Sequence, residues 1–258
     1  MSGGSGAMSS SQRLRADLDA AMSTGAHGLS IADRLCHACV DVLEVDGAAI
    51  SVIDSGASRG TYGSSGALSR RLDELQFTFG EGPCLDAVAS GRPVLAGDLG
   101  HRLEQRWPAF AGAVLETGVR AVFALPISVA ASSVGALDLF RHTVGPLDAQ
   151  TMTGGLLAAE LAALPLLDLM AGDTDWHAVG SGAAWPELAS LERVEVYQAT
   201  GMIMGQLDVS PAEALARLRA HAFAKQLTAS EVAWLILDRQ LVLHDDRIGR
   251  SGDEGERR

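Results

Sequence analysis

The pattern of apolar and polar positions is most regular near the C-terminus, between residues 191 and 241. Three segments of helical length repeat apolar residues at three- and four-residue spacing, which is the period of one helix face. Two start signals separate the segments: Ser210 with Glu213, and Thr228 with Glu231. This spacing is typical of a capping box, in which both side chains satisfy backbone N–H groups. The pattern predicts three short helices, which bury little surface alone.

Upstream of residue 171 the period changes repeatedly. Helices are predicted over residues 12–22, 29–45, 84–90, 103–117 and 146–170, the last with a kink at Pro165. Strands are predicted over residues 47–53, 61–64, 94–97, 119–127 and 133–140, with a turn over 56–60. The alternation over residues 72–79 favours a further strand. This order predicts an α+β fold, with an antiparallel sheet and helices mainly on one face.

Composition and charge limit the function classes. Hydrophobic residues make up 47% of the 258 residues, and no uninterrupted apolar run reaches the length of a membrane span. Three cysteines do not suggest a disulfide framework, so we expect a cytoplasmic protein. The formal net charge of −12 argues against a nonspecific nucleic-acid coat. Residues 27–170 hold 9 arginines and 16 acidic residues, whereas residues 191–244 hold five basic and six acidic residues.

The run from Ala199 to Gly205, Ala-Thr-Gly-Met-Ile-Met-Gly, resembles the first-helix signature of ANTAR domains. The resemblance continues in order across all three helices at Ser210, Glu213, residues 218–222 and residues 231–233. Residues 238–241 resemble the end of the domain in actinobacterial members. ANTAR domains are RNA-binding modules of bacterial transcription antiterminators. The signature positions, which we expect to be structural, are Ala199, Gly201, Met204, Ala214, Ala222, Val232 and Ala233.

The resemblance implies RNA binding by exposed cations of the three helices. The candidate RNA-binding residues are Arg217, Arg219, His221, Lys225, Thr228 and Arg239. Arg217 and His221 share a helix face, and Lys225 with Thr228 and the amides of the third helix would hold a phosphate. Hairpin-loop bases would stack on an Arg or His plane. The alternative is a set of solvated faces and intrahelical ion pairs, such as Glu213 with Arg217.

A second resemblance covers residues 27–170. The segment Gly80-Glu81-Gly82-Pro83-Cys84-Leu85-Asp86-Ala87 is similar to GAF domains, as are Gly91 to Val94, Trp107-Pro108 and Gly135 to Asp138. The resemblance implies a sensor with a six-stranded sheet. Its ligand and any cofactor are not specified, since this fold hosts many ligands. A small-molecule ligand therefore stays open.

The resemblances set the predicted domain boundaries. Residues 1–26 are a disordered tail with a short helix, 27–170 the GAF-like domain, 171–186 a linker, 187–244 the ANTAR domain, and 245–258 a mobile charged tail.

Cysteine chemistry and catalysis have little support in the sequence. Cys36 and Cys39 share one helix turn but lack the further pair that a structural zinc site needs, so no metal is assigned. Cys84 opens a short helix that would stabilise a thiolate for redox sensing, but a buried thiol is the favoured interpretation. No Gly-rich phosphate loop, nucleophile elbow or zinc-protease motif is present, and we expect no enzyme.

The sequence as a whole predicts a signal-responsive antitermination regulator that binds tandem stem-loops in nascent RNA. A homodimer would form along the helix over residues 146–170 and the first C-terminal helix, so that two RNA-binding modules act together. The alternative is a protein–protein scaffold, or a redox or ligand sensor, without RNA binding.

Overall fold

The computed structural model describes residues 10–23, 29–54, 57–129, 132–171 and 193–244. Residues 1–9, 172–186 and 245–258, predicted as tail, linker and charged tail, lie outside the described residues. The chain divides into two compact units, Met1–Arg193 and Val194–Arg258. In the described part of the chain, no helix combines the length and apolar character needed to cross a membrane.

The first unit is built on an antiparallel sheet of five strands in the order β2-β1-β5-β4-β3. The strands are β1 (Gly47–Asp54), β2 (Ala57–Ser64), β3 (Val94–Ala96), β4 (Ala121–Val129) and β5 (Ser132–Arg141). The described residues thus form five of the six strands that the resemblance implied. The expected turn over residues 56–60 is wrong from Ala57 onward, because that segment pairs with β1.

Helices cover both faces of this sheet, and the expectation that they lie mainly on one face is wrong. One face packs against α2 (Leu29–Val42) and α6 (Ala149–Ala171), and α1 (Ser10–Ser23) packs against these two helices. The other packs against α3 (Ala67–Phe79), α4 (Pro83–Ser90) and α5 (Pro108–Glu116). Side chains alternate along a strand, so a nearly continuous apolar strand such as β4 needs cover on both sides.

Two predicted elements of the first unit, one strand and one helix, differ from the structure. Residues 72–79 belong to the helix α3 rather than to a strand, because Leu68, Leu72, Leu75 and Phe79 recur at helical spacing and pack in one cluster. The helix predicted over 103–117 begins only at Pro108, which occupies the first helical position after Trp107.

The second unit contains the three predicted helices, α7 (Val194–Leu207), α8 (Pro211–Lys225) and α9 (Ala229–Leu237). Their shared core consists of small and aliphatic side chains, namely Val196, Ala199, Ile203, Ala214, Leu218, Ala222, Ala229, Val232, Ala233 and Ile236. Small residues let short helices approach closely, so this unit packs with little apolar bulk.

The two predicted capping boxes differ. Thr228 and Glu231 form a complete box: Glu231 N–H donates to Thr228 Oγ1 at 3.2 Å, and Thr228 N–H donates to Glu231 Oε2 at 2.6 Å. Ser210 accepts only from Glu213 N–H, at 3.3 Å. The Glu213 carboxylate is paired with Arg217 instead.

Candidate functional site

The candidate RNA-binding side chains of the second unit differ in pairing and exposure. Arg217 donates to Glu213 at 2.8 Å on the same helix, which matches the ion-pair alternative. Lys225 and Arg239 are exposed, and Arg219 and His221 are half-buried. Lys225, the last residue of α8, and Arg239, which follows α9, therefore offer charge to a partner most directly.

Thr228 is placed differently from the prediction. Its side chain is fully buried and its hydroxyl accepts from Glu231 N–H, so it is not available for direct contact with RNA. The Glu231 carboxylate also stands at the start of α9, where a phosphate was expected. A negative group there repels an anion and already binds one amide. The proposed phosphate site at this helix start is therefore corrected.

Left-handed residues close the two helix ends that carry the exposed cations. Gln226 (φ 56°) follows Lys225, and the next N–H, of Leu227, donates to Ala222 O at 2.9 Å. Arg239 itself has φ 57°, and Gln240 N–H donates to Leu235 O at 2.8 Å. These closures are typical helix C-terminal motifs. They hold the backbone that bears Lys225 and Arg239 in one conformation.

Exposed aromatic side chains in the second unit were missed from the sequence. Tyr197, Phe223 and Trp234 are 48%, 58% and 56% exposed. Each lies off the apolar face of its helix. This position in the sequence could have indicated that the three rings are exposed. Aromatic rings on the surface of an RNA-binding module are suited to stacking on unpaired bases.

The signature positions mostly form the core of the second unit. Ala199, Ala214, Ala222, Val232 and Ala233 are buried, and Met204 is half-buried. Gly201 is exposed, and a Cβ there would meet nothing within 4 Å. Close packing within the described residues of this unit therefore does not explain why residue 201 is a glycine.

A second site, unnoticed in the sequence, is a buried polar cluster in the first unit. Asp73 of α3 accepts hydrogen bonds from Ser51 of β1 and from Thr61 of β2. Arg193 adds an ion pair, with Nη2 2.9 Å from Asp73 Oδ2, and its guanidinium carbon lies 4.4 Å from the centre of the Phe77 ring. Arg193 is 5% exposed, so this pair lies away from water.

The Gly-Glu-Gly-Pro segment builds the other half of the cluster. Gln76 donates from Nε2 to Asp138 Oδ2 at 2.5 Å and accepts at Oε1 from the Cys84 N–H at 2.8 Å. Gly82 has φ 148°, and a Cβ there would clash with the Gln76 amide. Glycine at this position therefore lets the start of α4 reach the glutamine. Glu81 meanwhile caps α5 by accepting from Ala109 N–H and Phe110 N–H.

Burial dominates the electrostatics of this cluster. Desolvation, with the Asp73 charge nearby, raises the pKa of Asp138 to about 8, although the Gln76 hydrogen bond opposes the shift. Asp138 Oδ1 has no hydrogen-bond partner among the described residues. Burial also raises the pKa of the Cys84 thiol, and Asp138 and Asp73 add to the effect. These effects oppose a reactive thiolate at Cys84.

The other two cysteines are also buried thiols. Burial raises the pKa of Cys39 to about 12 and that of Cys36 well above its usual value. Over the described ranges, no group of three or more His, Cys, Asp and Glu side chains is arranged to hold a metal ion.

Family comparisons agree with this two-unit architecture. A layered unit of helices and sheet is followed by a unit of three helices, so the chain consists of two modules. Residues 30–164 match the model of the GAF domain family, which spans more than half of the chain, and residues 187–237 match the ANTAR domain model. The chain therefore belongs to the GAF domain family and is a GAF and ANTAR domain-containing protein. GAF domains are sensors, and ANTAR domains are RNA-binding antitermination modules.

Solved structures support the fold of the first unit. The GAF domain of an Acinetobacter phosphoenolpyruvate-protein phosphotransferase is 11% identical with a TM-score of 0.52, covering 68% of this chain and 99% of that one. The corresponding domain from Coxiella burnetii is 14% identical with a TM-score of 0.50, covering 67% and 96%. At such identities the likeness shows the fold alone. Comparison with curated proteins gave no match.

Proposed function

We propose that the protein is a signal-responsive antitermination regulator whose second unit binds stem-loops of nascent RNA. The observation that carries this proposal is the ANTAR match over residues 187–237, which includes all three helices of the second unit. Bound stem-loops would be held in a form that prevents a terminator from folding. The role is regulatory rather than catalytic, as is typical of both domain families.

The proposed RNA surface combines charge with exposed rings. Lys225 and Arg239 supply exposed cations, Arg219 adds a half-buried one, and His221 adds a half-buried ring. Trp234 of α9 offers a ring face for a loop base. Phosphate contacts give affinity that falls with salt, whereas stacking selects unpaired loops over duplex. The surface carries few cations, so each unit alone would bind RNA modestly.

A homodimer would compensate for this modest affinity by presenting two RNA-binding units together. Two helices leave apolar or small residues exposed on one side. On α6 these are Leu156, Leu164 and Leu167, which are 45%, 70% and 38% exposed. On α7, Tyr197, Gly201 and Gly205 recur every four residues and are all exposed. Both faces are suited to packing against a second copy.

Fluorescence anisotropy of the full chain with a two-hairpin RNA tests the proposal. We expect tighter binding to this RNA than to a single strand of the same length and composition. The double variant Lys225→Glu/Arg239→Glu should lose most of the affinity. A matched control, Arg92→Glu/Arg102→Glu, makes the same charge change at exposed positions of the first unit and should bind as the unaltered chain does.

A lack of binding at concentrations where native mass spectrometry shows dimers would contradict RNA binding. It would favour the scaffold alternative, in which the exposed aromatic residues of the second unit contact another protein. An equal loss in the control variant would contradict the role of Lys225 and Arg239 in holding the RNA. The redox alternative is disfavoured separately by the burial of Cys84.

A further inference from the structure

The buried polar cluster of the first unit has the composition of a binding site for an organic cation. We propose that Asp73, Gln76, Phe77 and Asp138 bind a small molecule carrying a planar guanidinium or amidinium group, and that Arg193 occupies this site in its place. The inference rests on the proposed sensor role of the first unit and names the class of its ligand.

The internal occupant fits the site only in part. Arg193 Nη2 satisfies Asp73 Oδ2, and its guanidinium lies over the Phe77 ring. Its Nε is buried without a hydrogen-bond acceptor among the described residues, as Asp138 Oδ1 is without a partner. A buried polar atom with no partner costs free energy. Arg193 therefore leaves polar atoms of the site without partners among the described residues.

The neighbouring groups specify the chemistry of the proposed ligand. The Asp73 carboxylate is 1% exposed and supplies the negative charge that favours a cation over an anion. The Asp138 carboxyl, whose pKa is raised to about 8, is a neutral neighbour near pH 7. The flat Phe77 ring favours a planar delocalised cation. A small guanidinium has N–H groups on all three nitrogens, so it can replace Arg193 Nη2 as the donor to Asp73 Oδ2.

The position of Arg193 gives the site a route to the second unit. Arg193 is the last residue of the first unit and is bonded directly to Val194, where α7 begins. Its backbone has φ 47°, an uncommon conformation for a residue other than glycine. The side chain of the same residue forms the ion pair with Asp73. A ligand that displaces Arg193 would break this pair at the residue before α7.

Chemical rescue of the full chain tests the inference, with methylguanidinium chloride as the probe. Arg193→Ala empties the site, and titration calorimetry should then show binding of methylguanidinium at least tenfold tighter than to the unaltered chain. The double variant Arg193→Ala/Asp73→Asn should not bind the probe. Tetramethylammonium, a cation without N–H donors, should bind neither. Equal binding to all three chains, or none to Arg193→Ala, would overturn the inference.

A second variant tests the inference if Arg193→Ala does not fold. Arg193→Gln keeps most of the side-chain length but removes the charge, and methylguanidinium should slow hydrogen exchange in residues 67–79 of this variant. Unchanged exchange in a folded Arg193→Gln chain would overturn the inference equally. Neither readout involves RNA. Loss of RNA binding with probe binding intact would contradict only the antitermination proposal, and the reverse result only the cation site.

Discussion

Arg193 and Asp73 form an ion pair with 2.9 Å between Nη2 and Oδ2, although 120 positions separate them in the sequence. Both side chains are almost completely buried. The aspartate also receives the Ser51 and Thr61 hydroxyls, so its charge is fully solvated by protein groups. Arg193, the last residue of the first unit, therefore contacts the core of that unit through Asp73.

Removing one partner of this pair should be strongly destabilising. Arg193→Ala leaves the Asp73 charge buried without a counter-charge, and we expect the free energy of unfolding to fall by about 3–5 kcal/mol. Denaturant unfolding followed by circular dichroism measures this change. Arg92→Ala, at an exposed position, should change stability by less than about 0.5 kcal/mol. Similar small changes in both variants would show that the pair contributes little.

Asp138 should make stability depend on pH. Its pKa in the folded chain is raised to about 8, whereas the ordinary value is 3.8. Between these values the folded chain holds a proton that the unfolded chain has lost. This contribution to stability is complete below pH 3.8 and is lost as the pH rises toward about 8, by up to about 1.4 kcal/mol per pH unit.

Asp138→Asn tests this dependence because the amide keeps an acceptor for Gln76 and does not titrate. We expect unfolding curves between pH 5 and pH 8 to show a flatter stability profile for Asp138→Asn than for the unaltered chain. The other groups around Asp138 (Asp73, Cys84 and Arg193) are the same in both chains. Parallel profiles would contradict the raised pKa.

The sequence predicted the modules better than it predicted their sites. The helical period and the start signals at Ser210 and Thr228 are local, so they placed the second unit correctly. The cover on both faces of the sheet was missed, although the nearly continuous apolar run of β4 signalled it. Residues 72–79 were predicted as a strand because Leu75, Phe77 and Phe79 alternate. The same segment also has Leu72 and Leu75 at helical spacing, and it forms a helix.

The buried polar cluster could not be predicted from local pattern. Asp73 and Asp138 interrupt apolar segments, which is a weak signal for a buried charge, but their partners come from distant elements. Thr228 differs, because its capping role follows from the local spacing and is confirmed. The same side chain is fully buried in that role, so it is not exposed for contact with RNA.

The cap at α9 should contribute measurably to the stability of the second unit. Thr228→Ala removes the acceptor of Glu231 N–H, and we expect a loss of about 1 kcal/mol. Thr228→Ser keeps the hydroxyl and should retain most of that stability. Calorimetric unfolding of the full chain compares the two variants. An equal loss in both would assign the effect to the buried methyl group instead.

The three thiols should be unreactive while the chain is folded. Cys36, Cys39 and Cys84 are all buried, and burial raises their pKa values. Labelling with an aromatic disulfide reagent near neutral pH should therefore proceed only at the rate of unfolding. Rapid labelling of one thiol in the unaltered chain, absent from Cys84→Ser, would support the redox alternative.

The salt dependence of RNA binding tests the central claim most directly. Affinity for the two-hairpin RNA, measured by anisotropy over a series of salt concentrations, should fall linearly on logarithmic axes. Lys225→Ala should reduce the steepness of that line by about one unit for each RNA-bound copy of the residue, while Arg102→Ala leaves it unchanged. An identical slope for all three chains, or no binding at low salt, would contradict RNA recognition by the second unit.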